Sequence, residues 1–130
     1  MRLGAAVRLC AGALLLAGCP DSSGPVAGEL VVSIEGPAVR AAMLRVVGEQ
    51  SAIALAPAVS AQLHVGVAGE DTAIVVLVAP RGSVLPSGDV FRLSVPDVNR
   101  LSAYSVTTLQ AAGAGYQLLA ASSLIPVITR

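Results

Sequence analysis

Apolar side chains recur at every second position through much of this chain. In Leu30-Val31-Val32-Ser33-Ile34, the residues Leu30, Val32 and Ile34 share one face, and Gly36-Pro37 ends the stretch. In Gln62-Leu63-His64-Val65-Gly66-Val67, Leu63, Val65 and Val67 point one way and His64 the other, with Gly69-Glu70-Asp71 as the turn. A period of two marks a strand with one buried face. Residues 73–79 form a continuous, largely β-branched apolar run that ends at Pro80-Arg81-Gly82. That run predicts a central strand buried on both faces. Phe91, Leu93 and Val95 alternate with Arg92 and Ser94 after the turn Pro86-Ser87-Gly88-Asp89, and Tyr104, Val106 and Thr108 supply another candidate face. Residues 124–129 close the set, and Pro126 confines that strand to an edge or a bulge.

Two regions fit more than one pattern. Residues 38–47 read as a strand with Ala42, Leu44 and Val46 inward, or as a helix with Val39, Met43 and Val46 or Val47 on one stripe. The strand is favoured, because Gly48 follows and a second apolar run, residues 52–56, begins soon after. That spacing predicts a hairpin with Glu49-Gln50 near its turn. Residues 109–121 are alanine-rich and have room for one helical turn around Gly113 and Gly115.

About seven to eight short strands, spaced by Gly and Pro turns, predict an all-β chain folded as a single β-sandwich of immunoglobulin-like or cohesin-like architecture. The core must be aliphatic. Phe91, Tyr104 and Tyr116 are the only aromatic residues, and there is no tryptophan. The Cys–Trp–Cys pattern of true immunoglobulin domains is missing, so that likeness concerns architecture alone.

The first residues have a different character. Arg2 and Arg8 precede a charge-free run rich in Leu and Ala, which ends in Leu16-Ala17-Gly18-Cys19. A charged start, an apolar middle and small residues at a cut site form the layout of a secretory leader. The run is too short to cross a bilayer as a helix, which takes about 20 residues. Leu16-Ala17-Gly18-Cys19 resembles the processing motif of bacterial lipoproteins, filling its four positions in order. The resemblance implies cleavage before Cys19, diacylglycerol on the Cys19 sulfur and often acylation of the new amino group. It also implies an envelope address. Pro20 rather than aspartate follows the cysteine, which under the Gram-negative sorting rule of that class favours the outer membrane. The expected organisation is therefore a signal peptide over residues 1–18, a lipidated flexible tether over 19–28 and the sandwich over 29–130. The tether is polar and rich in Pro, Ser and Gly, a composition that stays extended or flexible.

A second resemblance covers residues 89–108. The strand Val90-Phe91-Arg92-Leu93-Ser94-Val95, then Pro96-Asp97-Val98, then Tyr104-Ser105-Val106-Thr107 is similar to the later part of exported cohesin-like sandwich domains. It implies a sandwich and transfers no binding residue.

Processing would leave 112 of the 130 residues, enough for one domain with its own core. Cys10 would leave with the leader and Cys19 would carry lipid, so no disulfide is expected. A chain starting near Glu29 is expected to be a soluble monomer that unfolds cooperatively without metal or oxidant. All eight basic residues are arginine, and the processed chain would carry six of them against eight acids. With no basic patch, nucleic acid is not an expected partner. With no lysine, a P-loop and Schiff-base chemistry are excluded.

Candidate chemistry is sparse. His64 is the only histidine and lies on the outward side of its strand; no Gly-x-Ser-x-Gly elbow accompanies it. One imidazole and no free thiolate fall short of a zinc site. Glu70, Asp71, Asp89, Asp97 and Asn99 could be read as calcium ligands from converging loops. Turn chemistry accounts for Asp71, Asp89 and Asp97 without a metal. No cofactor, metal or catalytic residue is assigned, and Cys19 is the one assigned site, for lipid attachment. The expected function is a non-catalytic structural or protein-interaction module held on the envelope membrane, presenting loops or an edge strand to another envelope protein. A carbohydrate-binding module is the alternative, limited to Tyr104 and Tyr116 as stacking platforms. A hydrolase ranks last.

Overall fold

The computed structural model describes residues 24–130. The signal peptide, Cys19 and the first part of the tether lie outside the described residues. Among those described, the chain forms nine strands in two antiparallel sheets, as expected of a β-sandwich. The strands are β1 (Gly28–Glu35), β2 (Val39–Val47), β3 (Ala52–Leu55), β4 (Gln62–Gly69), β5 (Thr72–Val78), β6 (Gly88–Val95), β7 (Ser105–Gly113), β8 (Leu118–Leu119) and β9 (Ile125–Thr129). One sheet runs β9-β1-β6-β3 and the other β4-β5-β2-β7-β8. The two-residue β8 takes the count past the seven or eight strands that the turn spacing predicts.

The seam between the sheets is aliphatic apart from Phe91. Leu30, Val32 and Ile34 of β1 and Phe91, Leu93 and Val95 of β6 face Ala42, Leu44 and Val46 of β2 and Val75 and Leu77 of β5. Alternation alone places most of these side chains. The rest depend on three irregularities that reset it. A register shift at Arg40 lets Val39 and Ala42, three apart in sequence, both turn inward. A second shift, at Leu109, does the same for Thr108 and Ala111. A third leaves Val90 beside Phe91, with both buried. Each is a bulge, with an extra residue on one strand that switches which face the following residues occupy.

Among the described residues Thr108 is the one buried polar residue, and its hydroxyl donates to the Leu124 carbonyl at 2.9 Å. This bond ties β7 to the segment entering β9 and helps close one flank of the sandwich. The other flank, between β3 and β4, stays open. Leu63 packs against the core there, while Val65 and Val67, on the same face, remain exposed.

Two sequence expectations are corrected, and one open choice is decided. Residues 38–47 and 52–56 do not form a hairpin. Both edges of β2 are occupied, by β5 and β7, so the chain crosses to the other sheet, where β3 pairs with β6. Residues 73–79 are not buried on both faces. Ala73, Val75 and Leu77 are buried, but Ile74, Val76 and Val78 form the half-buried outer side of the sheet. The segment around Gly113 and Gly115 is the turn of a β7–β8 hairpin rather than helical, with Tyr116 at φ 66°. The choice of strand over helix for residues 38–47 holds, and Pro126 lies on an edge strand as its ring requires.

The crossover after β2 depends on Gly48. Its φ of 133° favours glycine, and Tyr104 packs directly where a Cβ would project. The Gly48→Ala chain should lose about 2–4 kcal/mol of unfolding free energy in denaturant titration, from backbone strain plus overpacking. Gly66→Ala should change stability by less than about 0.5 kcal/mol, since nothing lies within 4 Å of its added methyl and its φ is not in the left-handed region.

Candidate functional site

The strands give the sandwich two unlike ends. Where β2 finishes and β1 begins, Glu49, Asp71, Asp97, Arg100 and Tyr104 surround a depression of ≈ 460 Å³. The chain enters the domain at this end. The Val26 N–H donates to Asp97 Oδ1 at 3.3 Å, and the Val98 N–H donates to the Val26 carbonyl at 2.8 Å. At the opposite end Arg40, Arg81 and Tyr116, with Ser60 and Gln62, line a bowl of ≈ 530 Å³. From Arg40 to Val47 along β2 is roughly 23 Å.

Arg40 organises the far end. Its Nε donates to the Ala114 carbonyl at 2.7 Å, and a terminal nitrogen donates to the Ser83 carbonyl at 2.8 Å. Its guanidinium also lies 4.6 Å from the centre of the Tyr116 ring. The bulge that turns Val39 inward thus also aims Arg40 at two loops. These bonds occupy much of the guanidinium, which makes Arg40 a clamp between the β5–β6 and β7–β8 connections. Arg81 stands exposed on the first of them. The sequence reading missed both arginines. The available signal was Arg40 at the start of the apolar run of β2, where the face alternation also breaks.

The two tyrosines do not share a face. Tyr116 is 72% exposed at the far end. Tyr104 is half-buried at the entry end, where its hydroxyl donates to the Glu49 carbonyl. The Tyr104 phenol is pushed above its ordinary value, first by partial burial and then by the Glu49 carboxylate, with Arg100 acting in the opposite sense.

His64 lies on the outer side of β4, opposite Val76 of β5, and is exposed. The candidate calcium ligands do not converge as one set. Asp89 accepts from the Ser33 hydroxyl at 2.6 Å, linking β6 to β1. Asp97 Oδ1 accepts from the Val26 and Asn99 backbones and so shapes its own loop. Asp71 occupies the β4–β5 turn at φ 57°, a conformation that Asp tolerates. Among the described residues no group of three or more His, Cys, Asp or Glu is placed to hold a metal ion. Among them, too, no helix is long and apolar enough to cross a membrane. Cys19 lies outside the described residues.

No protein-family model matches the chain, and neither a curated protein nor a solved structure matches it.

Two expectations follow from these placements. His64→Ala should change stability by no more than about 0.5 kcal/mol, the usual range for an exposed position, as read by thermal or denaturant unfolding. Tyr104 favours its neutral form in the folded chain, so its contribution is complete below the unfolded phenol value of about 10 and is lost as pH rises through the higher folded value. Alkaline unfolding should therefore steepen above about pH 10 in the wild type and less so in Tyr104→Phe. An equal alkaline loss in both chains would remove Tyr104 as the cause.

Proposed function

We propose that the protein is a lipid-anchored bacterial envelope lipoprotein whose β-sandwich serves as a non-catalytic structural or protein-interaction module. The observation that carries this reading is Leu16-Ala17-Gly18-Cys19 at the end of a charge-free run that follows Arg2 and Arg8. The place where the chain enters the domain supports it. Val26 is fixed to the Asp97–Val98 loop, so an anchor at Cys19 would reach the sandwich at its acidic end. The residues from Cys19 to Val26 span roughly 25 Å when fully extended. On this reading the acidic end faces the lipid and the Arg40–Tyr116 end points away. Pro20 after the cysteine favours the outer membrane if the source is Gram-negative.

A carbohydrate-binding module is the second reading, and Tyr116 is the observation in its favour. The ring is largely exposed at the bowl, where a sugar could stack on it. The Arg40 guanidinium lies over the ring, and Tyr104 is at the opposite end, so the sandwich offers one platform rather than a paired set. This ranks below the interaction module.

In a lipid-labelling experiment the wild-type chain should incorporate fatty acid, lose residues 1–18 and partition into the detergent phase. Cys19→Ser should remain unlabelled, at precursor size. A wild-type chain that stays unmodified and keeps its first eighteen residues would overturn the anchor while leaving the sandwich untouched.

A further inference from the structure

Each sheet has two edge strands, and exported sandwiches need those edges protected. An unpaired row of N–H and C=O groups invites pairing with any passing chain, and short edges, proline and charge are the usual safeguards. Three of the four edges here follow that rule. β8 has two residues, β3 has four, and β9 has five with Pro126 among them. β4 breaks it. The strand is eight residues long, Gln62–Gly69, with neither a proline nor a charged acid or arginine.

β4 also borders the open flank. The other sheet leaves its Val65 and Val67 exposed. Val67 is 88% exposed. Val65 and Val67 line a depression of ≈ 270 Å³ together with Gln50, Ala52 and Ile53. A strand added to β4 would send alternate side chains into this depression and the others outward, beside His64 and Gly66. Main-chain bonds would then supply affinity, and the depression would select the apolar residues. The β4–β5 turn adds charge at one end, because Glu70 and Asp71 are exposed where β4 finishes. Every ladder in the domain is antiparallel, and an antiparallel newcomer would bring its first residue to that turn.

We propose that β4 is a docking edge for an extended strand of another polypeptide, apolar at alternate positions and basic at the end that meets Glu70 and Asp71. This rests on the interaction-module reading and names the surface that reading uses.

The test is hydrogen exchange on the full-length chain in detergent, with and without the probe peptide acetyl-Lys-Val-Thr-Val-Thr-Val-Thr-amide. The expected result is saturable binding with slowed exchange of amides in residues 62–69. Val67→Lys, which alters only an exposed side chain, should weaken binding at least tenfold with unchanged thermal unfolding. A peptide with a glutamate in place of its lysine should bind several-fold more weakly at low salt. Protection at residues 125–129 instead of 62–69 would overturn the choice of edge and leave the interaction-module reading standing. Absence of protection anywhere would overturn the docking edge and leave the interaction-module reading standing. Protection of 62–69 that rises with chain concentration in the absence of peptide would assign the edge to a second copy and overturn the proposal.

Discussion

The domain depends on two sheets interlocking through small branched side chains. Among the described residues Phe91 is the one fully buried aromatic ring, with Tyr104 packed at the border; Val, Leu, Ile and Ala do the rest. Burying one Val, Leu or Ile side chain contributes about 1.5–3 kcal/mol and an Ala methyl less, so no single residue dominates and many must face inward together. That requirement explains the bulges. A strict period of two would leave Val39, Ala111 or Val90 on the wrong side of its sheet. One extra residue at each break recovers them for the core. The same need limits polar groups inside. Thr108 is tolerated because its hydroxyl has a carbonyl partner, and that bond closes the flank it sits on. Gln50, in the loop after β2 beside the open flank, has its Oε1 buried with no hydrogen-bond partner among the described residues.

Packing then decides where chemistry can sit. The bulge that buries Val39 also sends Arg40 toward two loop carbonyls and the Tyr116 ring. The crossover that Gly48 permits places Tyr104 against the Glu49 carbonyl and gathers Glu49, Asp71 and Asp97 at the other end. The placing of Glu49, Asp71, Asp97 and Arg100 where the chain enters, and of Arg40 and Arg81 at the far end, is thus a consequence of core geometry. Arg92 and Glu29, 2.9 Å apart on the outer side of β1 and β6, are a surface pair of the kind worth less than about 1 kcal/mol.

Much of this fold was legible in the sequence, and the failures share one cause. Leu30, Val32 and Ile34 and the set Phe91, Leu93 and Val95 could be assigned to the core from alternation. Gly36, Gly69 and Pro80 marked strand ends for the reasons their backbones supply. Pairing partners were not legible, because alternation says which face a residue occupies and not which strand lies beside it. The hairpin expected after β2 came from short spacing, and spacing alone could not reveal that β5 and β7 take both edges. The two-sided burial expected of residues 73–79 failed likewise: an apolar run permits a covering layer but does not provide one. The sites divided the same way. His64 fell on the outer face as its neighbours implied, whereas the roles of Arg40 and Val67 depend on a bulge and on a missing neighbour that no local pattern encodes.

An open, uncharged edge is a hazard for a protein at high local concentration, and the proposed anchor bears on that hazard. Antiparallel pairing of β4 with β4 of a second copy requires one domain to be inverted. The inverted copy would hold its entry end, and with it Val26, about 30 Å from the membrane-facing end of its neighbour, the length of a nine-residue strand. The stretch from Cys19 to Val26 reaches roughly 25 Å even when fully extended. If the strands stood upright on the membrane, copies anchored on one surface would all face the same way and their β4 edges would not meet in the antiparallel sense. A free strand from another polypeptide has no such restriction. Anchoring on this geometry would act as the safeguard that charge or proline provides elsewhere, blocking self-pairing while keeping the edge open to a partner. On the proposed anchor, a long bare edge and a short tether would be compatible, since in the upright arrangement the second would limit self-pairing at the first.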